Sequence, residues 1–200
     1  MIASRGDRRR TALLEALDEH LRDAGPDARL EDINVADLSR RAGVTRSAFY
    51  FYFDNKADAV AALLEEMHDA GQSAAELLAG DGAVRDQVAA AIRTVLSGWE
   101  RRRHVYRAML EARATSPGVR ERWDSTQEGF VRIAADVIDA ERAAGLAPPG
   151  PDAHAVATVL LDVNDRALAR LVQDAADLDW ERHVEAVVHV WLSTIYGRNA

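Results

Sequence analysis

The run Asn34-Val35-Ala36-Asp37-Leu38-Ser39-Arg40-Arg41-Ala42-Gly43-Val44-Thr45-Arg46-Ser47-Ala48-Phe49-Tyr50-Phe51-Tyr52-Phe53 decides the fold. Asn34 is a good helix N-cap with Asp37 three residues on, and Ile33 and Leu38 stand at the staple positions on either side of the start. Val35, Leu38 and Ala42 fall at i, i+3 and i+7, the apolar stripe of a short helix. Gly43 can take the left-handed backbone that ends it, Val44 can plug the space between helices, and Thr45 can cap the next one. In that second helix Phe49 and Phe53 are four apart and are expected to point inward, with Arg46, Ser47 and Tyr50 outward. Asn55 and Asp58 make a further cap pair, which puts Lys56 in the first turn of a third helix. Two short helices about a glycine turn are the layout of a helix-turn-helix, whose second helix enters the DNA major groove. An ordinary helical hairpin with core aromatics is the alternative, but core alone does not explain Tyr50 and Tyr52 flanking Phe51 beside a charged start. Tyrosine hydroxyls suit phosphate contact while their rings pack.

The bulk numbers fit this reading once divided. The chain has 200 residues and a net charge of −8. Residues 1–56 carry ten Lys/Arg against ten Asp/Glu, and residues 57–200 carry fifteen against twenty-three, so the acidity lies wholly in the second part. Within the first part, residues 1–10 hold four arginines and one aspartate, and residues 34–56 hold four basic and two acidic side chains. Phosphate contact depends on a local basic face, which an acidic chain can still present. With no cysteine, disulfides, thiolate catalysis and Cys-type zinc sites are excluded. No window approaches a membrane span, and the arginines near the N-terminus precede no long apolar stretch, so a cytoplasmic protein is expected.

Every long segment has helical period, and an all-α chain of about nine helices is expected. Leu13, Leu14, Leu17 and Leu21 mark a first helix over about residues 7–23. A long helix is expected over 56–79, ending at Gly80-Asp81-Gly82. Further helices are read at 84–100, around Val105 to Leu110, from Pro117 to Ala144, at 152–175 and at 180–196. Pro117 at the first helical position and Gly145 just past the end bracket the longest of these. The organisation expected is a three-helix DNA-binding domain over 1–60 and a larger helical domain over 61–200, with the boundary inside the helix that starts at Lys56.

The segment from Ala42 to Lys56 resembles the recognition segment of the TetR family of one-component regulators. Patches farther along, among them Ala112 to Ser116, Val137 to Arg142, Asn164-Asp165-Arg166 and Trp191 to Gly197, resemble its ethionamide-resistance repressor subgroup. The resemblance implies an N-terminal three-helix DNA-binding domain and a helical domain that dimerises through its last two helices and binds a small apolar molecule. It implies a repressor that binds a palindromic operator as a dimer, with no cofactor. Asn34, Thr45, Arg46, Ser47, Tyr50, Tyr52 and Lys56 would then be the DNA-contacting set, Arg46 reading a base and Tyr52 and Lys56 meeting phosphates. Ser47 departs from the family pattern, where glycine or proline is frequent, which bears on how closely the backbone approaches the operator.

By the same resemblance Trp99, Phe130, Ile133, Val163, Asn164 and Trp191 would line an apolar ligand tunnel. For each aromatic, plain core is the competing role. Asn164 interrupts an apolar stripe and must find a partner, which is either a ligand carbonyl or a neighbouring helix. Val88 and Ala134 are lighter than their counterparts in the subgroup, which implies a different ligand shape.

Other classes find less support. There is no nucleophile elbow, glycine-rich phosphate loop after a strand, or His-Glu-x-x-His helix. The six histidines are scattered, and the pair Glu185 and His189 reads as a solvated helix face better than as metal ligands. A helical ligand-binding bundle without DNA activity would leave the motif from Asn34 to Lys56 unexplained.

Overall fold

The structure is a computed structural model that describes residues 5–25, 29–66, 83–173 and 179–197. Among the described residues it holds nine α-helices and no strand: α1 Arg5–Ala24, α2 Val35–Arg41, α3 Arg46–Tyr52, α4 Lys56–Glu66, α5 Val84–Glu100, α6 Arg103–Thr115, α7 Pro117–Ala143, α8 Ala153–Gln173 and α9 Trp180–Tyr196. The protein is all-α. Helix α4 is described only to Glu66, so the remainder of the helix expected over 56–79, and the break at Gly80 to Gly82, lie outside the described residues.

The helix ends follow from local chemistry. Gly43 takes φ +65. The amide of Val44 donates to the Ser39 carbonyl at 2.9 Å and that of Gly43 to the Arg40 carbonyl at 3.2 Å, the paired bonds of a Schellman end. Helix α7 closes the same way, with Gly145 at φ +73 and Leu146 donating to the Glu141 carbonyl at 2.9 Å. At the start of α9 the Asp179 carboxylate accepts from the Arg182 amide at 3.2 Å.

The chain forms two compact units. The first comprises Met1–His68 and Arg102–Glu121, the second Asp69–Arg101 and Arg122–Ala200. In the first unit Leu13, Leu14, Leu17 and Leu21 of α1 are buried together with Ile33, Leu38, Phe49, Phe53 and Val60. Helix α6 belongs to this unit and packs on α4 and α1. It is longer than its apolar residues alone suggest, starting at Arg103 and running on past Leu110 to Thr115. Two polar ties secure it: His104 Nε2 lies 2.7 Å from Asp18 Oδ1, and the Leu30 amide donates to Glu111 Oε2 at 2.7 Å.

In the second unit α9 packs on α5 and α8. Its buried stripe is Val184, Val187, Val188, Trp191 and Ile195, at the spacing of one helix face. Arg93 of α5 and Glu185 of α9 form a fork-like ion pair with contacts of 2.9–3.2 Å. This pair uses the Glu185 carboxylate, and no cluster of three potential metal ligands occurs among the described residues. No described helix is long and apolar enough to cross a membrane.

Candidate nucleic-acid interface and ligand core

The first unit presents α3 by its termini. Asn34 caps α2, its Oδ1 accepting from the Ala36 amide at 2.9 Å and from Asp37 at 3.3 Å. After the Gly43 turn, Thr45 is in extended conformation and its Oγ1 accepts from the Ala48 amide at 3.3 Å. The Thr45 hydroxyl also lies 2.9 Å from Ser47 Oγ, so both hydroxyls are ordered at the same end of the helix. Phe49 and Phe53 point inward as expected and are buried, their ring centroids 5.3 Å apart. This anchors α3 through one face and leaves the other in water.

On the free face Arg46, Ser47 and Tyr50 are exposed. The Arg46 guanidinium sits 5.7 Å from the Tyr50 ring centroid, a cation–π arrangement that orders both side chains at little cost. Tyr52 is half-buried, its ring edge-on to Phe51 at 5.0 Å and tilted against Phe53 at 6.3 Å. Phe51 is 80% exposed. Its helical phase, about 200° from Phe49, points it away from the core.

The Lys56 ammonium donates to the Glu31 carbonyl at 2.7 Å. It is thus partly committed to the loop that precedes α2, with two of its three donors left for other acceptors. Leu30 in the same loop is held by Glu111. The loop before the helix-turn-helix is therefore gripped on consecutive residues, one by its amide and the next by its carbonyl. No pattern around Glu111 announces this, because the partners are 81 residues apart. Asn55 caps α4, its Oδ1 accepting from the Asp58 amide at 2.9 Å, while Asp58 accepts from the Asp54 amide at 3.3 Å. A groove of about 390 Å³ is lined by Glu31, Asp32, Ile33, Asn34, Val35, Ala36, Arg46, Tyr50 and Lys56. Four residues of the expected DNA-contacting set, Asn34, Arg46, Tyr50 and Lys56, thus converge on one concavity. Glu31 and Asp32 bring acidic charge to it that the motif alone does not disclose.

The second unit places the ligand-set residues differently. Trp191 is buried, and its indole N–H donates to Asn164 Oδ1 at 2.9 Å. Of the two partners open to Asn164, a neighbouring helix is therefore the one it has. The amide nitrogen of Asn164 is not used by this bond. Trp99 is half-buried with its ring 6.5 Å from Trp123, and Phe130 is half-buried. Ile133 and Val163 stand at the surface of the chain, 37% and 36% exposed.

A buried carboxylate in this unit escaped the sequence reading. Glu141 is buried and accepts from the Tyr196 hydroxyl at 2.9 Å. Burial first, and then the bond to Glu141 and its negative charge, hold the Tyr196 phenol above its ordinary range, opposed only by Arg85. The folded chain therefore keeps the phenol proton at a pH where the unfolded chain releases it, near pH 10. Stability contributed by the pair is complete below that value and declines as pH rises past it. Thermal melts at pH 9 and pH 10.8 should show a larger drop for the parent than for Tyr196→Phe. Equal drops would mean that the hydroxyl does not couple to folding.

The architecture and motif agree with those of known transcriptional regulators. Residues 30–63 match the model of bacterial regulatory proteins of the tetR family, and residues 88–197 match that of the C-terminal domain of the transcriptional regulator EthR. The chain is 34% identical over 198 residues to the HTH-type transcriptional regulator EthR of Mycobacterium tuberculosis, covering 97% of this chain and 90% of that one. It is 30% identical over 200 residues to EthR of Mycolicibacterium smegmatis, covering 96% and 88%. Among solved structures, the regulator FadR from Bacillus subtilis in complex with stearoyl-CoA superposes with a TM-score of 0.73 at 18% identity, covering 93% of this chain and 99% of that one. The chain belongs to the TetR family of transcriptional regulators, in its EthR-like branch. It is a DNA-binding regulator rather than an enzyme.

Proposed function

We propose that the protein is a ligand-responsive repressor that binds a palindromic operator as a homodimer and is released by an apolar small molecule. The observation that carries the DNA half is the free face of α3, where Arg46, Ser47 and Tyr50 stand exposed on a helix anchored by Phe49 and fixed at its start by Thr45. Arg46 is the base reader, since a guanidinium can contact guanine O6 and N7 together. Thr45 and Ser47 meet bases or adjacent backbone, Tyr50 a base or sugar, and Tyr52 and Lys56 phosphates. Asn34 holds the start of α2 for this docking.

Dimerisation is supported by geometry and by surface. Two recognition helices must meet successive major grooves about 34–36 Å apart or somewhat more. The last two helices leave apolar side chains in water, among them Val159 and Val190, which a second copy would cover. The effector class follows from the resemblance to repressors of apolar ligands, with Trp99, Phe130, Asn164 and Trp191 as its candidate lining, while Ile133 and Val163 stand at the surface of the chain. The B. subtilis relative, solved with stearoyl-CoA, supplies a precedent for a long-chain molecule. Effector entry pivots the helix that begins at Lys56 and spreads the recognition helices beyond the groove spacing. An effector can do this only by binding the released state more tightly than the operator-bound one.

Selection of random duplex DNA on the purified protein at two salt concentrations tests the reading. A palindromic consensus with affinity falling steeply as salt rises is the expected result. On that consensus Arg46→Ala should weaken binding by about 5- to 150-fold and relax the preference at one base pair per half-site. Tyr52→Phe and Lys56→Ala should weaken it more evenly across sequences. Parental affinity in all three variants would refute the DNA assignment. A tight effector that left operator affinity unchanged would refute the release mechanism alone.

A further inference from the structure

We infer that Phe51 is a specificity residue that reads the C5-methyl group of thymine in the major groove. The inference rests on the DNA-binding role proposed for α3 and extends it to a side chain whose chemistry differs from that of the polar set. Phe51 is 80% exposed, the most exposed large apolar side chain among the described residues. At about 100° per residue it lies some 200° from Phe49, opposite the face that anchors the helix, and within about 40° of Ser47. Arg46 and Tyr50, paired with each other, lie about 140° and 100° from it around the helix, on the other side of Ser47. The ring therefore flanks the polar face on the Ser47 side, diametrically opposite the anchoring rings of Phe49 and Phe53.

Its position is also set. Phe51 meets Tyr52 edge-on at 5.0 Å with an interplanar angle of 89°, and Tyr52 leans on Phe53, which is buried. A chain of three rings thus ties the exposed one to the core. A ring held in this way is suited to meet a partner without ordering cost on binding.

What the ring can recognise follows from its chemistry. It has no donor or acceptor for the polar base edges, and a phosphate offers it nothing. On the major-groove floor only thymine presents an apolar group, the C5-methyl, and apolar contact with that methyl is a known mode of readout. The polar neighbours read hydrogen-bonding edges, and Phe51 adds discrimination of thymine from cytosine at a step they do not cover.

The test uses the full chain and the duplex recovered by selection. Each thymine is replaced singly by deoxyuridine, which keeps Watson–Crick pairing and every polar edge and removes only the methyl. For the parent, one position in each half-site should lose about fourfold in affinity on this replacement, the worth of one buried methyl. Phe51→Ala should bind the unmodified duplex more weakly and show no loss at that position, while Phe51→Leu should retain part of the sensitivity. Phe51 is exposed, so the melting temperature of the variants should match the parent and separate readout from folding. A scan without a sensitive position, or a loss that persists unchanged in Phe51→Ala, overturns the inference while leaving the DNA reading intact. Failure of the parent to select any duplex would overturn both, and that outcome is recognisable before any deoxyuridine is introduced.

Discussion

Phe49→Ala should destabilise the first unit by about 3–5 kcal/mol, the range for truncating a fully buried phenylalanine. The side chain is 1% exposed and its ring meets Tyr50 and Phe53, both at 5.3 Å. Alanine leaves a cavity under a helix of only seven residues, too short to persist without its tertiary anchor. Because a domain of this size is stable by only about 5–15 kcal/mol, the loss is a large share of the total. Hydrogen exchange should show the amides of α2 and α3 losing protection first, and operator binding should fall although Phe49 itself faces away from DNA. The paired control is Phe51→Ala, two positions on, which should leave exchange unchanged. Unaltered protection in Phe49→Ala would mean that α3 is held by something other than its aromatic face.

What could be read in advance was whatever the chain encodes locally. Asn34, Gly43, Thr45 and Asn55 each act through bonds spanning two to five residues, and each is where the sequence places it. The limits of α5 and α9 match the expected ones because the apolar period runs the length of each, and Asp179 caps the start of α9. Three features depend on distant partners and carry no local signature. His104 meets Asp18 across 86 residues, Glu111 meets Leu30 across 81, and Tyr196 meets Glu141 across 55. The first two bring α6 into the same unit as the DNA-binding helices, a grouping that helical periodicity cannot express because α6 looks the same on any partner. Phe51 is a different case. Its phase follows from the count of residues, but an aromatic is core by default, and only its exposure in the folded chain departs from that rule.

Trp191→Ala should cost about 3–5 kcal/mol in the second unit, the other large effect expected of a single substitution. Trp191 is 6% exposed within the α9 stripe, so alanine removes a large buried side chain from between α9 and its neighbours. It also strips Asn164 of the donor that its Oδ1 now accepts at 2.9 Å. The two contributions separate in a cycle. Trp191→Phe keeps most of the ring and loses the indole N–H, so it should cost about 1–3 kcal/mol, chiefly the unpaired carbonyl of a part-buried amide. Adding Asn164→Leu should then recover much of that loss, because removing both partners of a buried bond is far less harmful than orphaning one. Urea midpoints of the four proteins supply the coupling energy, and additive effects would show that the bond contributes nothing to folding. The same set bears on the proposed effector. If Asn164 serves only the fold, the recovered double variant should bind an apolar effector as the parent does. If instead its amide nitrogen holds the effector, the response should be lost in Asn164→Leu and in the double variant yet persist in Trp191→Phe, a pattern that neither a purely structural asparagine nor the change at Trp191 produces.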